Sequence, residues 1–359
     1  MGLAIGIPKE REPFEYRIGI TPAAVSVMTA RGHRCYVEAG AGVGSGFSDE
    51  VFQEAGAQLT YSPDEVFRRA DLLLKIQRPT EQELTWMRQG QILMSFMFLA
   101  AAHERYIQTL QDKQVTVIAY ELIQEEDGRL PVMYPLSQIG GRMAAQTAAH
   151  YMLNIKGGKG ILLGGIAGVP PAEVVIVGAG VVGTNAADSF LRNGARVILL
   201  DKNLRVLQEA HERFNGQVTT MVSHDFNLAR VCQFADVLVG AVQVPGQRAP
   251  IILTREMVRS MRPGSLIIDV SIDQGGCVET SRPTRHDDPV FVAEDVLHYC
   301  VPNMPGVVGR SATHAFVNAA CPFVMQVADE GLETALAHNA ALRRGMAMNG
   351  GQLLQDVGR

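Results

Sequence analysis

Residues 174–201 of this 359-residue chain, VVIVGAGVVGTNAADSFLRNGARVILLD, restrict its fold more than any other stretch. A strand, a glycine turn, a helix, a second strand and an acidic stop follow one another there without a break. The opening run, residues 174–177, is apolar and β-branched, as in a buried parallel strand. Gly178, Gly180 and Gly183 then fall at G-x-G-x-x-G spacing. In this arrangement the first glycine permits a tight turn, the second lets backbone approach a pyrophosphate, and the third lets the helix pack closely on its strand. The N-terminus of that helix faces the anion. Gly194 ends the helix, residues 196–200 form the next strand, and Asp201 stands at its end, eighteen residues past Gly183. A carboxylate there accepts hydrogen bonds from an adenosine ribose and repels a 2′-phosphate, which favours NAD over NADP although Lys202 follows directly. Glycine spacing alone is weak evidence in a chain with 36 glycines. The strand before it, the helix after it and the acid beyond make a dinucleotide site a better reading than glycines used only for packing.

Length suggests two domains, and 47% apolar residues supply material for two cores. A net charge of -5, spread without long runs, speaks against a nucleic-acid surface. The five cysteines are odd in number, widely spaced and without a C-x-x-C pair, so neither a disulfide framework nor a metal site is expected and a reducing, cytoplasmic location fits. The N-terminal MGLAIGIPKERE lacks the apolar core of a signal peptide, and the most apolar stretch, residues 92–102, is too short to span a bilayer; no membrane association is expected.

Strand and helix alternate from the start, which predicts a doubly wound parallel α/β sheet. Strands are expected near residues 4–7, 34–38, 71–75, 92–96 and 115–120, about five in all. Thr21-Pro22 caps one helix, Ser62-Pro63-Asp64-Glu65 reads as a capping box for another, and a third runs over about 103–111. A long helix over about 137–153 and the glycine-rich KGGKGILLGGIAGVPP mark the passage to a second doubly wound set. Its six strands lie near 174–177, 196–200, 218–222, 235–242, 265–270 and 298–301, with a helix begun by Thr254. The tail from about residue 307 is helical in character and returns to the first domain. The expected division is residues 1–134 plus 308–359 for one domain and 135–307 for the dinucleotide-binding one.

Ligands of open α/β sheets bind beyond the carboxyl ends of the strands, which directs attention to four charged residues. Arg17 follows the first strand, Lys75 ends DLLLK, and Asp269 and Asp273 lie at and beyond SLIID. An arginine and a lysine converging from two loops could clamp a substrate carboxylate, or could be solvated strand ends. Asp273, before Gly275-Gly276, could act as a base beside a nicotinamide or simply hold a turn. Asp269 reads as a structural strand-end acid, and His314 in SATHAF is the one histidine outside the bland helical positions that merits a role.

The blocks KERE, FEYRIGITPAAV, AGAGVGSGFSDE, DLLLKIQRP, AYELI, GGRMAAQ, GGIAGVPPAEVVIVGAGVVGTNAA, GAVQVPGQRAP, DVSIDQGGC and YCVPNMPG resemble the L-alanine dehydrogenases of the alanine dehydrogenase and transhydrogenase superfamily over almost the whole chain. The resemblance implies two doubly wound, Rossmann-like domains flanking a cleft and assembly as a homohexamer. It implies reversible oxidation of L-alanine by NAD to pyruvate, ammonia and NADH. By position it makes Arg17 and Lys75 the holders of the substrate carboxylate and Asp273, with Lys75, the catalytic pair. It puts Ser137, Gly178, Gly180, Val182, Gly183, Asp201, Ser223, Val242, Asn303 and Met304 against the cofactor. The chemistry agrees, because hydride leaves Cα only from a neutral amine, and water must then attack the imine, so a base is required. One departure stands out. Where the family carries a catalytic histidine in F-x-H-L-A-A, this chain has Phe98 in Phe96-Met97-Phe98-Leu99-Ala100-Ala101. A phenyl ring moves no proton, and losing such a group typically costs about 10²- to 10⁴-fold in rate. Three outcomes are open: reliance on Asp273 and water, a more apolar substrate against Phe98, or a silent NAD-binding protein. The soluble component of a transhydrogenase is a further alternative, and His314 is a candidate substitute for the missing imidazole.

Overall fold

The computed structural model describes residues 2–244 and 248–354, so residues 245–247 of the GAVQVPGQRAP block and the last five residues lie outside the described part. The chain divides into two compact units, Met1–Leu136 with Pro305–Arg359, and Ser137–Met304.

The first unit runs β1 (Ala4–Ile7), α1 (Pro22–Ala30), β2 (Arg34–Glu38), α2 (Asp49–Glu54), β3 (Gln58–Thr60), α3 (Pro63–Arg69), β4 (Leu72–Gln77), α4 (Glu81–Trp86), β5 (Ile92–Phe96), α5 (Glu104–Asp112) and β6 (Thr116–Ala119). Helix α6 (Tyr134–Tyr151) leads out of it. The second unit follows with β7 (Glu173–Val177), α7 (Val181–Arg192), β8 (Arg196–Asp201), α8 (Leu204–Arg213), β9 (Thr219–Val222), α9 (Asp225–Cys232), β10 (Val237–Gly240), α10 (Arg255–Arg259), β11 (Leu266–Asp269), β12 (Val290–Ala293) and β13 (Val296–Tyr299). The chain then returns to the first unit as α11 (Gly309–Glu330), α12 (Leu332–His338), α13 (Ala340–Arg344), β14 (Met346–Asn349) and β15 (Gln352–Leu353).

Among the described residues the first sheet has eight strands in the order β15-β14-β6-β5-β4-β1-β2-β3, and the second has seven in the order β12-β13-β11-β10-β7-β8-β9. Both are more extensive than the sequence suggests. The added strands β3, β12, β14 and β15 all lie in the outer parts of their sheets, and three of them pair antiparallel. MAMN of β14 has no β-branched residue, and β3 and β15 have three and two residues, so none carries a legible strand pattern. The expected helical tail is therefore helical only as far as Arg344.

The central strand of the second sheet shows why a continuous apolar run folds this way. Val174 and Ile176 pack with Ala144 and Ala148 of α6 and Phe190 of α7, whereas Val175 and Val177 pack with Leu228 and Val231 of α9 and Val258 of α10. Both faces are covered, as double winding requires. In the first unit, Val66 and Phe67 of α3 and Ile107 and Leu110 of α5 close over Leu73, Leu93 and Val117. Each side chain fully buried in this way contributes roughly 1.5–3 kcal/mol.

The expected capping box at Ser62 does not form. The Ser62 hydroxyl turns to the Asp64 carboxylate instead of the helix backbone, and α3 is held by the i,i+4 pairs Asp64–Arg68 and Glu65–Arg69, each at 2.7 Å. A true box occurs one helix later. At α4 the Thr80 Oγ accepts from the Glu83 N–H at 3.2 Å and a Glu83 carboxylate oxygen accepts from the Thr80 N–H at 2.7 Å.

Candidate functional sites at the carboxyl edges of the sheets

In the first unit, four adjacent parallel strands bring the candidate residues to one edge. Arg17 follows β1, Lys75 lies near the end of β4, Phe98 comes two residues after β5, and Glu121 two residues after β6. The two cations are not the open clamp that sequence suggests. Arg17 is only 3% exposed, and its Nε and backbone N–H both donate to Glu15 Oε1, at 2.7 and 3.0 Å. Its Nη2 meets the other Glu15 oxygen, which also accepts from Gln77 Nε2 at 3.0 Å. Lys75, 1% exposed, lies between Glu83 Oε1 at 2.9 Å and Glu10 Oε2 at 3.2 Å. A buried cation without counter-charge is prohibitively unstable, which accounts for the three carboxylates.

Burial alone would push the Lys75 ammonium down in pKa, but Glu10 and Glu83 together outweigh it and hold it above the usual lysine value. Burial pushes the Glu10 carboxyl up, with Lys75 opposing. Glu10 also accepts from the Ile76 N–H at 2.6 Å, which ties it to the strand that carries Lys75. Glu10, Glu15 and Glu83 are thus buried partners of the two candidate cations that the sequence reading missed. Only Glu83 left a local signal, the T-x-x-E spacing of its capping box.

Position 98 is unusual in its backbone. Phe98 holds φ 42° and ψ 51°, in the left-handed region that bulky side chains rarely enter. Its ring stacks on Phe96, with centroids 6.1 Å apart and planes at 14°, and Phe96 in turn meets Tyr120 and Phe316. Its N–H donates to Glu121 Oε1 at 2.6 Å, and the Met97 N–H reaches the same carboxylate at 3.1 Å. Burial drives the Glu121 carboxyl up to about 7 against the lowering effect of these amides. His314, by contrast, is an exposed residue of α11 whose ring packs edge-on against Phe47 at 5.5 Å, and none of its ring contacts is with Phe98.

In the second unit the cofactor candidates other than Ser137 lie beyond the carboxyl ends of the parallel strands or in the helix turn that follows. A Cβ on Gly183 would overlap the Gly178 carbonyl oxygen, and Gly178 itself has φ +105° and abuts the Ala241 carbonyl, so turn, helix and neighbouring strand close only around glycine. A Cβ on Gly180 would meet nothing within 4 Å. As N-cap of α7, Gly180 supplies no side-chain acceptor to the first-turn amides, which leaves an open, donor-rich approach of the kind a pyrophosphate fits. Val182 is half-buried in that first turn, and Ser137 is half-buried on α6.

Asp201 does more than sequence suggests. One carboxylate oxygen accepts from the Ala179 N–H and the other from the Asn203 N–H, both at 2.8 Å, so the acid braces the glycine turn. Each oxygen keeps a second lone pair for a ribose hydroxyl. The Ser223 N–H donates to the Asp201 carbonyl at 2.9 Å, and the Val242 N–H to Ser271 Oγ at 2.9 Å. Asp273 is exposed and accepts from the Asn303 N–H at 2.7 Å, which joins the loops after β11 and β13. Met304 differs from the rest, because it is 3% exposed and its side chain belongs to the core. Asp269 is the structural acid expected of it, buried and accepting from the backbone of Ser271, Cys277 and Val278 at 3.0–3.4 Å.

The second unit thus carries a glycine turn open to an anion and braced by an acid, and the first a buried pair of cations at the edge of its sheet. Two family models match, "Alanine dehydrogenase/PNT, N-terminal domain" over residues 6–140 and "Alanine dehydrogenase/PNT, C-terminal domain" over residues 144–356. The alanine dehydrogenase of Methanococcus maripaludis is 45% identical over 356 residues, covering 99% of this chain and 95% of its own. That of Mycolicibacterium smegmatis is 43% identical over 355 residues, with the same coverage. A solved L-alanine dehydrogenase superposes with a TM-score of 0.93 at 39% identity, covering 98% of this chain and 97% of that one. With both halves matched and relatives of this identity spanning nearly all of its length, the chain belongs to the alanine dehydrogenase/PNT family.

Proposed function

We propose that the chain catalyses the NAD-dependent, reversible oxidative deamination of an L-amino acid, L-alanine first, to the 2-oxo acid and ammonia. The observation that carries this reading is the likeness to alanine dehydrogenases over 99% of the chain, and Arg17, Lys75, Asp273 and the glycine turn are the residues that the sequence resemblance assigns to the site. NAD supplies the hydride acceptor. The remaining work falls to the protein. Gly178, Gly180, Val182 and Gly183 receive the pyrophosphate, and Asp201 selects the ribose. Ser137, Ser223, Val242, Asn303 and Met304 complete the cofactor contacts, Met304 through its backbone. Arg17 and Lys75, oriented by Glu15, Glu10 and Glu83, hold the substrate carboxylate. Asp273, exposed and steadied by the Asn303 amide, takes the proton from the amine or from the attacking water.

Assembly as a homohexamer and a cytoplasmic location belong to the same reading. Leu153, Ile155, Leu162, Ile166 and Val169 are 39–86% exposed on one short segment of the second unit, which supports a subunit contact there. No helix among the described residues is long and apolar enough to cross a membrane.

The test is to assay the purified chain with NAD and a panel of L-amino acids, and in reverse with 2-oxo acids, ammonium and NADH. Turnover of alanine and pyruvate is expected. Binding of NAD without turnover of any member of the panel would reject the dehydrogenase reading in favour of a silent nucleotide-binding protein.

A further inference from the structure

The turn after β5 adopts a conformation that its sequence resists. A phenylalanine at φ 42°, ψ 51° crowds its Cβ against the following carbonyl, and no glycine or asparagine relieves the crowding. Such a conformation persists only where the surroundings impose it. Here the imposing group is visible. Two consecutive amides, Met97 and Phe98, point at one carboxylate, that of Glu121, which stands at the end of the adjacent strand β6. Converging backbone amides of this kind form an anion-binding concavity.

We propose that Glu121 is the positioning residue of position 98: its carboxylate holds the left-handed turn and thereby sets where the Phe98 ring lies along the carboxyl edge of the first sheet. The inference rests on the functional reading above only in taking that edge, with Arg17 and Lys75, as the substrate side. It makes Glu121 a determinant of which 2-oxo-acid side chain the edge accepts, acting through the backbone and without touching substrate.

The hold depends on the charge of Glu121. Among the described residues no charged side chain offsets its burial: the amides of Glu121, Phe98 and Met97 stabilise the ionised form, and burial still pushes the carboxyl up to about 7. The ionisable groups of the neighbouring elements include Tyr120 in its own turn, His103, Glu104, Arg105 and Tyr106 at the start of α5, and Arg343 and Arg344 of α13, of which Arg344 donates to the Gln124 carbonyl at 2.8 Å. None of these enters the balance at Glu121. Above neutrality the carboxylate accepts charge-assisted bonds from both amides; below it, a neutral carboxyl accepts weaker ones.

Hydrogen exchange at the Met97 and Phe98 amides tests this directly. With the intrinsic pH dependence of exchange removed, protection at these amides in the full-length protein should rise roughly tenfold or more between pH 6 and pH 8, the scale of hydrogen bonds to a charged acceptor. In Glu121→Gln that rise should vanish, and KM for the 2-oxo acid should increase while NADH affinity stays unchanged. Protection that is flat across this range in the wild type overturns the proposal whether or not the variant folds. So does a Glu121→Gln protein with wild-type exchange at both amides, or one whose exchange accelerates evenly through the first unit, since that marks general loosening. Exchange needs no turnover, so a chain that oxidises no amino acid refutes the functional reading and leaves the role of Glu121 to be decided by exchange alone.

Discussion

As pH rises, ionisation of Glu121 acts in opposite directions on the stability of the fold and on the turn at Phe98. The ordinary carboxylate value of 4.5 is raised to about 7 in the fold. A group raised in the folded state contributes stability that is fully present below its unfolded value and is lost as pH rises through its folded value. Between pH 4.5 and 7 the protein therefore gives up as much as about 3 kcal/mol at this site, while the turn it holds becomes tighter. Urea unfolding at pH 5 and pH 8 should show Glu121→Gln losing less stability over that interval than the wild type. Equal losses in both proteins would mean that Glu121 titrates normally. Position 98 itself is open to a second test. Phe98→His restores a group able to move a proton, and alanine turnover should rise by about tenfold or more, short of the ~10²- to 10⁴-fold of an evolved acid or base. Flat or lower turnover with NAD affinity retained would show that Phe98 does not limit catalysis. The carboxylates around Arg17 and Lys75 could not be read in advance, because a glutamate beside basic residues in sequence looks like a solvated surface. Only the meeting of β1, β4 and α4 makes Glu10, Glu15 and Glu83 internal.

At the scale of elements, the β7–α7–β8 unit was the most legible part of the chain because everything that defines it is local. Strand, glycines, helix and acid lie within 28 successive residues, 174 to 201, and the contacts that matter run between near neighbours. Gly183→Ala tests how tight that unit is. Its added Cβ overlaps the Gly178 carbonyl, so helix α7 must move away from β7. NAD affinity should fall by about tenfold or more, from overpacking that typically costs 1–3 kcal/mol. Isothermal titration with NAD measures it, and an unchanged Kd would show that the turn has slack. Elements at the margins were hidden for the opposite reason. Strands β3, β12, β14 and β15 are short or half-exposed, and the partner that makes each a strand is remote in sequence or lies on a single side. Ser62 misled because a hydroxyl has several acceptors within reach, and here the Asp64 carboxylate outcompeted the helix amides.

Over the whole molecule, each unit has its own sheet and core, and each carries one part of the proposed chemistry: cations for a carboxylate in the first, a nucleotide turn and an acid in the second. The apolar segment at residues 153–169 belongs to neither task. If it is a contact between copies, Ile155→Glu combined with Ile166→Glu should convert the oligomer to smaller species by light scattering, with the fold preserved by circular dichroism. A wild type that is monomeric at micromolar concentration would remove the reason for that exposed apolar surface.

The pairing of β14 with β6 carries a consequence for how the chain is made. Met346 lies opposite Ile118, 228 residues earlier, so during synthesis β6 leaves the ribosome long before the strand that covers it. The second unit, continuous in sequence, has all its strands by Tyr299 and can close while β6 still waits as an uncovered edge. Until the last strands arrive, that row of unpaired backbone groups is a template for pairing with another nascent chain. A ribosome that stalls within α11 to α13 would release a protein with its nucleotide unit complete and its first sheet unsealed. Such a product is a candidate for aggregation, not for partial activity.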